Sequence, residues 1–272
     1  MTTPDTQPEL YDAPAIYDIL HTPGTAQDVA GLERVADLHG PTSPTGSRTW
    51  LEPACGTGRH LRLLAAHGQR VIGFDRSEAS IAYAKARIER AGLAHLARFS
   101  VGSMTNCRVK PASVDLAFNT INTVRHLPTD EAVTAHLRLI ADALVPGGIY
   151  AVGLSTTAYG LEPPSEDIWT AARGRCRVTQ AVQYLPPLAG EPPRAGERTE
   201  TVISHITVSR PSGERHITDR YALRTYSLDE WLDLIGRSAM ELHAVTDEFG
   251  SELDAPECGY RLYLLRRMLR PR

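Results

Sequence analysis

The chain has 272 residues, of which 42% are hydrophobic and 22% are charged. This fits one large domain or a domain with an insertion, and it excludes disorder throughout. Its 29 Lys and Arg residues stand against 32 Asp and Glu residues, so the net charge of -3 gives no electrostatic footprint for nucleic acid. The sequence shows neither a signal peptide nor a run of ~18 apolar residues, and we therefore expect a cytoplasmic protein without a membrane partner.

The first ten residues are polar and rich in threonine and proline, and we predict a disordered tail at residues 1–10. From residue 49 to residue 154, short apolar runs alternate with amphipathic segments. Strands are predicted at 49–51, 71–74, 98–101, 114–118 and 149–154, with helices between them at 59–67, 77–92 and 129–144. This alternation predicts a doubly wound α/β fold whose parallel sheet is covered on both faces.

The pattern changes after residue 154. Residues 175–184, 199–208 and 214–224 alternate polar and β-branched residues, which predicts three antiparallel strands with a hairpin loop at 209–213. The α/β pattern resumes with a helix capped by Ser227, followed by strands near 242–245 and 260–265. We therefore predict one domain, made of residues 11–155 and 227–272, that carries an antiparallel β insertion at residues 156–226.

A glycine pair, Gly56 and Gly58, lies between the first strand and the first helix of this pattern. Glycines there let the backbone approach a ligand at the carboxyl end of the strands. A dinucleotide site would place a small residue at position 61, where this chain has Leu61, and this argues against a nicotinamide dehydrogenase. Asp75 ends the second strand, where a carboxylate can bind both hydroxyls of a ribose, although it is equally suited to capping a helix or closing a turn.

Together these strand ends resemble the class I S-adenosylmethionine-dependent methyltransferases. Residues 52–58 (EPACGTG) resemble the first motif of that family, Gly73-Phe-Asp75 resembles its ribose-binding acid, and residues 144–148 resemble the turn before its fifth strand. The resemblance covers residues 11–154 and 227–265. It implies a Rossmann-like, mostly parallel sheet of seven strands with the last strand antiparallel, and S-adenosyl-L-methionine as the cofactor.

The resemblance also assigns residues to the cofactor. One departure is Ser103, because the family commonly has an acid there that bonds the adenine amino group, so we expect the backbone of Met104 to matter more. The residues assigned in this way are Tyr17, Glu52, Cys55, Gly56, Gly58, Arg59, Asp75, Arg76, Ser103, Met104 and Asn119.

The N-terminal segment at residues 11–18 resembles a subgroup that includes glycine and sugar N-methyltransferases. In that subgroup a tyrosine near this point reaches the methionine carboxylate or the substrate, and an antiparallel insertion covers the substrate site. The loop at residues 119–127 follows the fourth strand, is unusually polar, and includes His126. His126 is our candidate general base, since its unperturbed pKa is near neutral; the alternative is that it only supports the loop.

Further candidates lie around this loop and after the fifth strand. Arg125 would bind an anionic group of the substrate or, as for His126, only support the loop. The acidic, aromatic segment at 159–169 would receive a cationic group, unless it is an ordinary surface connection. The substrate candidates are Tyr11, Asn122, Arg125, Tyr159 and Trp169. The cysteines and the remaining histidines have no metal-binding spacing, and we predict no metal site.

These observations predict in-line transfer of a methyl group to a nitrogen or oxygen of a small molecule. Two alternatives stay open, namely a non-catalytic protein that binds S-adenosylmethionine and a methyltransferase acting on protein or RNA. The sequence does not identify the acceptor, and it leaves open whether the protein is a monomer or a homodimer.

Overall fold

A computed structural model describes residues 9–187, 198–254 and 259–268. Its strands, in chain order, are β1 (Thr49–Pro53), β2 (Arg70–Asp75), β3 (Ala97–Val101), β4 (Val114–Asn119), β5 (Leu144–Thr156), β6 (Ser165–Arg173), β7 (Cys176–Leu185), β8 (Thr199–Arg210), β9 (Gly213–Arg224), β10 (Met240–Thr246) and β11 (Gly259–Arg267). Its α-helices are α1 (Pro14–His21), α2 (Thr25–His39), α3 (Arg59–Ala66), α4 (Glu78–Arg90), α5 (Asp130–Ala143) and α6 (Leu228–Gly236). None of the helices in these described ranges is long and apolar enough to cross a membrane.

The main sheet has seven strands in the order β10-β11-β5-β4-β1-β2-β3. Strands β1 to β5 are parallel, and β11 runs antiparallel between β5 and β10. Trp50 and Leu51 are both fully buried although they point to opposite faces of β1. Trp50 belongs to the apolar layer formed with α2, α3 and α4, and Leu51 to the layer formed with α5 and α6. The predicted doubly wound α/β fold, with helices on both faces, is confirmed.

Side-chain caps fix where several helices begin. Ser77 accepts a hydrogen bond from the backbone N–H of Ser80 at the start of α4, and Ser227 forms a capping box with Glu230 at the start of α6. Both starts agree with the sequence prediction. Because α3 and α4 each follow a strand of the main sheet, their N-termini lie at the carboxyl edge of that sheet, where ligands of such folds bind.

The insertion is a separate antiparallel sheet with the strand order β6-β7-β8-β9. It has four strands, so our prediction of three was wrong: β6 was missed. Along Ser165–Arg173 only Ala171 is buried and the other residues are exposed. A strand exposed on both faces has no alternation of polar and apolar residues, so no strand was predicted there. The predicted hairpin between β8 and β9 is confirmed.

The N-terminal segment joins the insertion to the main domain. Residues 1–8 of the predicted tail lie outside the described residues, but Glu9–Asp12 forms a 3-10 helix, and the prediction of disorder was wrong at its end. Leu10 is 5% exposed and packs with α1 against Val178 and Ile217 of the insertion. Its backbone N–H donates to Oδ2 of Asp219 at 3.1 Å.

Candidate functional site

The loop between β1 and α3 has a backbone that favours glycine. Gly56 and Gly58 have φ angles of 51° and 65°, in the left-handed region. A Cβ at Gly58 would lie 3.1 Å from the ring of Phe99 and 3.2 Å from the Cβ of Ala84, so packing also selects glycine. A Cβ at Gly56 would face the ring of Tyr17 at 3.7 Å. Tyr17 of α1 therefore lies opposite this glycine loop, at the carboxyl edge of β1.

Asp75 lies beside the same loop. Its Oδ2 accepts a hydrogen bond from the backbone N–H of Gly56 at 2.8 Å, and its Oδ1 accepts one from Ser77 at 2.8 Å. The carboxylate closes the turn into α4, as the alternative interpretation of the sequence held. Each carboxylate oxygen can accept more than one hydrogen bond, so this half-buried group also retains capacity for a diol. Arg76, the next residue, is exposed.

Glu52 is a buried carboxylate at the end of β1. Its Oε1 lies 2.8 Å from Nδ1 of His60, whereas its Oε2 is buried and has no hydrogen-bond partner. Burial and the charges of Glu52 and Asp75 raise the pKa of the Cys55 thiol, so Cys55 lines the loop as a neutral group. An unpaired buried carboxylate oxygen is costly unless a donor reaches it. The ammonium of an amino-acid ligand in front of the glycine loop would be such a donor.

The turn after β3 contains the residues predicted to contact adenine. The hydroxyl of Ser103 accepts from the backbone N–H of Thr105 at 3.2 Å and lies 3.1 Å from Oγ1 of the same residue. Ser103 is therefore used within its own turn. The carbonyl of Met104 accepts from Nδ1 of His136 at 2.9 Å. Burial lowers the pKa of His136 to about 4, so the ring is neutral and holds the turn as a hydrogen-bond donor.

Asn119 ends β4 beside β1. Its Nδ2 donates to the carbonyl of Pro53 at 2.6 Å, and its Oδ1 accepts from the hydroxyl of Tyr150. The Tyr150 hydroxyl also lies 2.6 Å from Nε2 of His136, which is an acceptor in the neutral ring, so the two acceptors share the single hydroxyl proton. One buried polar chain therefore connects Met104 to the end of β1, and the side chain of Asn119 is committed to that chain rather than open to a ligand.

Arg59 begins α3 and is buried. Its Nη1 donates to Oγ1 of Thr25 at 2.7 Å and to Oδ2 of Asp28 at 2.9 Å, both on α2. Burial raises the pKa of the Tyr17 hydroxyl, and the charge of Arg59 opposes this rise. The same guanidinium adds to the effect of burial in lowering the pKa of His21 to about 4. Arg59 is thus the cation nearest to the residues that cover the glycine loop.

Five rings from distant parts of the chain form what we call the aromatic cage: Tyr11, Tyr17, His21, His126 and Tyr221. The Tyr11 hydroxyl lies 3.5 Å from Nε2 of His126, and the rings of Tyr11 and Tyr17 are 5.8 Å apart. Tyr221 stacks on His126 at 5.7 Å, and Tyr17 packs on His21 at 4.3 Å. The cage connects α1, the loop after β4 and the insertion.

The aromatic cage is uncharged near neutral pH. The pKa of His126 is lowered to about 4 by desolvation among the surrounding groups and by the nearby charges of Arg76 and Arg125, although the residue itself is exposed to solvent. Burial also raises the pKa of both Tyr11 and Tyr221 above the ordinary tyrosine value. His126 is therefore a free imidazole with low proton affinity. Such a group accepts hydrogen bonds, but it is a weak general base.

Sequence reasoning missed the contribution of the insertion to this cage. Tyr221 of β9 and Tyr184 of β7 both pair with Val202 of the intervening strand, so they share one face of the insertion sheet. The charge of Tyr184 contributes to the raised pKa of Tyr221, which also indicates that they are close. The alternation of residues along the strands could have placed the two tyrosines on one face, but no feature of the sequence predicts the contact between Tyr221 and His126.

Two predicted substrate residues have other roles. Arg125 is buried, its Nη2 pairs with Oε2 of Glu200 at 2.7 Å, and its Nε donates to the carbonyl of Arg224 at 2.8 Å. In the structure the guanidinium of Arg125 fastens the loop after β4 to the insertion, and its binding of an anionic substrate group stays a prediction. Asn122, with a φ of 60°, bonds the backbone N–H of Ser155 at 2.6 Å and supports the same loop.

The two aromatic candidates beyond β5 lie away from the cage. The hydroxyl of Tyr159 contacts Oγ1 of Thr225 at 3.1 Å and Oε2 of Glu230 at 3.0 Å, so it braces the start of α6. Trp169 lies on β6, at the opposite edge of the insertion sheet from β9. Three strand spacings separate β6 from β9, roughly 14 Å. Trp169 is therefore too far from Tyr221 to share one small acceptor with it.

Comparisons with known proteins agree with this site. Residues 51–148 match the family model described as a methyltransferase domain. The chain is 26% identical over 227 residues to the dTDP-3-amino-3,4,6-trideoxy-alpha-D-glucopyranose N,N-dimethyltransferase of Streptomyces venezuelae, over 79% of this chain and 84% of that protein.

Solved structures share the fold at lower identity. DesVI of Streptomyces venezuelae superposes with a TM-score of 0.70 at 19% identity, covering 93% of this chain and 98% of that one. The sugar N-methyltransferase KedS8 from Streptoalloteichus sp ATCC 53650 gives 0.69 at 18% identity, covering 98% and 97%. Fold and strand-end residues thus define a Rossmann-like methyltransferase. Residues 51–148 form a methyltransferase domain, and the predicted enzyme class, an S-adenosylmethionine-dependent methyltransferase, and the predicted cofactor are confirmed.

Proposed function

We propose that the protein methylates an amino nitrogen of a small molecule, and that the acceptor is an amino sugar. The observation that carries this proposal is the uncharged aromatic cage around His126, which lies between the glycine loop and the insertion. Two of the similar proteins, from Streptomyces venezuelae and Streptoalloteichus, are named for N-methylation of sugars, which supports the same acceptor class.

The residues of the glycine loop fit the cofactor. The ring of Tyr17 lies against Gly56 in the left-handed glycine loop, and the orphaned Oε2 of Glu52 fits the ammonium of the amino-acid end. Arg59 would pair with the carboxylate of that end, and Asp75 would bind the ribose hydroxyls. The turn of Ser103 and Met104 would border the adenine, with Cys55, Gly58, Arg76 and Asn119 around the site.

Bound S-adenosylmethionine supplies a methyl group on a positively charged sulfur that leaves as a neutral thioether. The bond from carbon to sulfur breaks as the bond from carbon to nitrogen forms, and the nitrogen then loses one proton to solvent. The cage aligns the acceptor and keeps water out. The free amine is the form that attacks, because an ammonium has no lone pair. His126 and the hydroxyl of Tyr11 accept hydrogen bonds from the amine and orient its lone pair.

The low pKa of His126 favours nitrogen over oxygen as the acceptor atom. A hydroxyl must lose its proton as it attacks, which needs a base of substantial proton affinity. A neutral amine attacks without such a base. We therefore assign His126 the role of an acceptor-orienting residue, in place of the general base suggested by its ordinary pKa.

The test compares nucleotide-linked and free amino sugars with the matched sugars that carry a hydroxyl at the same carbon. We expect release of S-adenosylhomocysteine and a product heavier by one methylene unit only with the amino sugars. Turnover of the hydroxyl sugars alone would refute the proposal. Cofactor binding without turnover of any acceptor would favour the alternative of a non-catalytic binding protein.

His126→Asn tests the role of the ring. We expect turnover to fall at least about tenfold while affinity for S-adenosylhomocysteine is retained, because the ring acts on the acceptor. His205→Asn, at an exposed position on β8, is the matched control. The wild-type kcat is expected to show no inflection near pH 6.5, since His126 does not titrate there. Full turnover of His126→Ala across pH would remove the role altogether.

A further inference from the structure

His60, the second residue of α3, is buried between two carboxylates. Its Nδ1 lies 2.8 Å from Oε1 of Glu52 at the end of β1, and its Nε2 lies 3.0 Å from Oδ2 of Asp28 on α2. A carboxylate offers only acceptors, so both ring nitrogens must carry protons and His60 is an imidazolium. The pKa of His60 is accordingly raised, because Glu52 and Asp28 outweigh the effect of burial.

The surrounding charges balance. Arg59 contacts the same Oδ2 of Asp28 at 2.9 Å, so two cations face two carboxylates. The other titratable groups within electrostatic range are Tyr17, Cys55, His21 and Tyr260, all neutral near pH 7 because burial shifts their pKa values away from the charged form. Within this cluster the polar atom left without a hydrogen-bond partner is Oε2 of Glu52.

This arrangement is more than a link between two helices. A histidine–carboxylate pair that served only to join α2 to α3 could lie on the surface. The second such pair between these elements does lie there. There Nδ1 of His67, just after α3, lies 2.9 Å from Oε1 of Glu33, and His67 is 45% exposed. Burying a charged cluster costs desolvation free energy that apolar packing would avoid. The buried version also leaves one carboxylate oxygen free beside the glycine loop.

We propose that His60 is a positioning residue for the amino-acid end of the cofactor. By holding Oε1 of Glu52, it fixes the carboxylate so that Oε2 receives the cofactor ammonium. By holding Asp28, it aligns α2 and the Arg59 guanidinium with the same end of the site. The inference rests on the proposed contact between Glu52 and the ammonium. His60 itself touches neither the cofactor nor the acceptor.

The experiment compares two ligands that differ in the amino-acid end. S-adenosylhomocysteine carries the ammonium and carboxylate, whereas 5′-methylthioadenosine keeps the adenosine and the thioether but lacks both groups. In calorimetric titrations, His60→Gln is expected to lower the affinity for S-adenosylhomocysteine by about tenfold to a hundredfold, because one charge-assisted hydrogen bond is lost. Its affinity for 5′-methylthioadenosine is expected to stay within about twofold. His60→Asn, whose amide occupies the place of Nδ1, is expected to restore most of the affinity.

Controls separate this inference from a general loss of structure. His67→Asn removes the exposed bridge between the same elements and is expected to change neither affinity. If His60→Gln lowers the affinity for both ligands equally, the role of His60 is merely structural. If it lowers the affinity for neither ligand, the proposal is overturned. If His60→Gln does not fold, Glu52→Asp gives the same comparison, since the shortened carboxylate cannot reach both His60 and the ammonium. If the wild type binds neither ligand, the cofactor assignments fail instead of the role of His60.

Discussion

Asp18 on α1 holds together the parts of the molecule that enclose the site. It is 1% exposed, and its Oδ2 pairs with Arg173 of β6 at 2.7 Å and accepts from the hydroxyl of Tyr83 on α4 at 3.0 Å. Its Oδ1 accepts from the hydroxyl of Thr57 in the glycine loop at 3.3 Å. One carboxylate therefore connects α1, the insertion, α4 and the loop. Asp18→Asn should loosen all of these contacts at once.

The size of the effect follows from these partners. The amide of asparagine places a donor where the carboxylate accepted, and it leaves Arg173 without its counter-ion. Breaking a buried ion pair costs about 3–5 kcal/mol. Because the Arg173 side chain is 39% exposed and can be hydrated, we expect the free energy of unfolding to fall by the lower end of this range, about 3 kcal/mol. For a chain of this size that corresponds to a fall in Tm of roughly 6–12 °C.

Urea and thermal unfolding followed by circular dichroism measure the change. The matched control is Asp37→Asn, which breaks the 2.8 Å pair with Arg48 in which Asp37 is 68% exposed. We expect it to cost at most about 0.5 kcal/mol, as for other surface pairs. Equal losses in the two variants, or a loss below about 1 kcal/mol for Asp18→Asn, would refute the reasoning from burial. A second consequence is weaker binding of S-adenosylhomocysteine, since Thr57 belongs to the glycine loop.

Three further predictions address other parts of the site. Asp75→Ala is expected to lower the affinity for S-adenosylhomocysteine at least about tenfold in calorimetry, and unchanged affinity would contradict the ribose assignment. The folded pKa of His136, about 4, lies below its unfolded value near 6.5, so its contribution to stability is present above pH 6.5 and is lost as pH falls toward 4. Between pH 6.5 and pH 4 the free energies of unfolding of the wild type and of His136→Gln should therefore diverge by about 3 kcal/mol. Parallel dependences of these free energies on pH would contradict a buried neutral ring. Arg125→Gln, which leaves Glu200 unpaired, is expected to cost about 3 kcal/mol of stability; a change confined to the KM of the acceptor would instead support the predicted role in substrate binding.

The parallel strands and the glycine loop were predictable because their signals are local. The central strands β1 and β4 are buried on both faces and are therefore short apolar runs, and Gly56 and Gly58 stand next to β1 in the sequence. Helix α2 was missed although it carries a helical pattern, with Val29, Leu32 and Val35 buried on one face. Strand β6 had no comparable signal, because it is exposed on both faces.

The aromatic cage was only half predictable because it is built from long-range contacts. Tyr11 and His126 were chosen by family resemblance and by loop position, and they lie 115 residues apart in the chain. Tyr221 reaches His126 only because the insertion folds back over the loop after β4. The same folding gives Arg125 a partner that the sequence did not indicate: a cation in an active-site loop suggests an anionic ligand, whereas the insertion supplies Glu200.

The distribution of charge across the site favours transfer to nitrogen. Glu52, Asp28, Arg59 and His60 place formal charges at one end of the site, whereas the rings of the cage carry none, although Arg76 and Arg125 lie near His126. During methyl transfer to an amine, one positive charge moves from donor to acceptor. A fixed carboxylate in the cage would stabilise a protonated amine, which cannot attack, and an imidazolium would oppose the arriving charge. Neutral rings and hydroxyl oxygens accommodate the charge at both positions without reorganisation during the reaction. The same cage would offer a hydroxyl acceptor only His126, a base of low proton affinity, and this supports the proposed transfer to nitrogen.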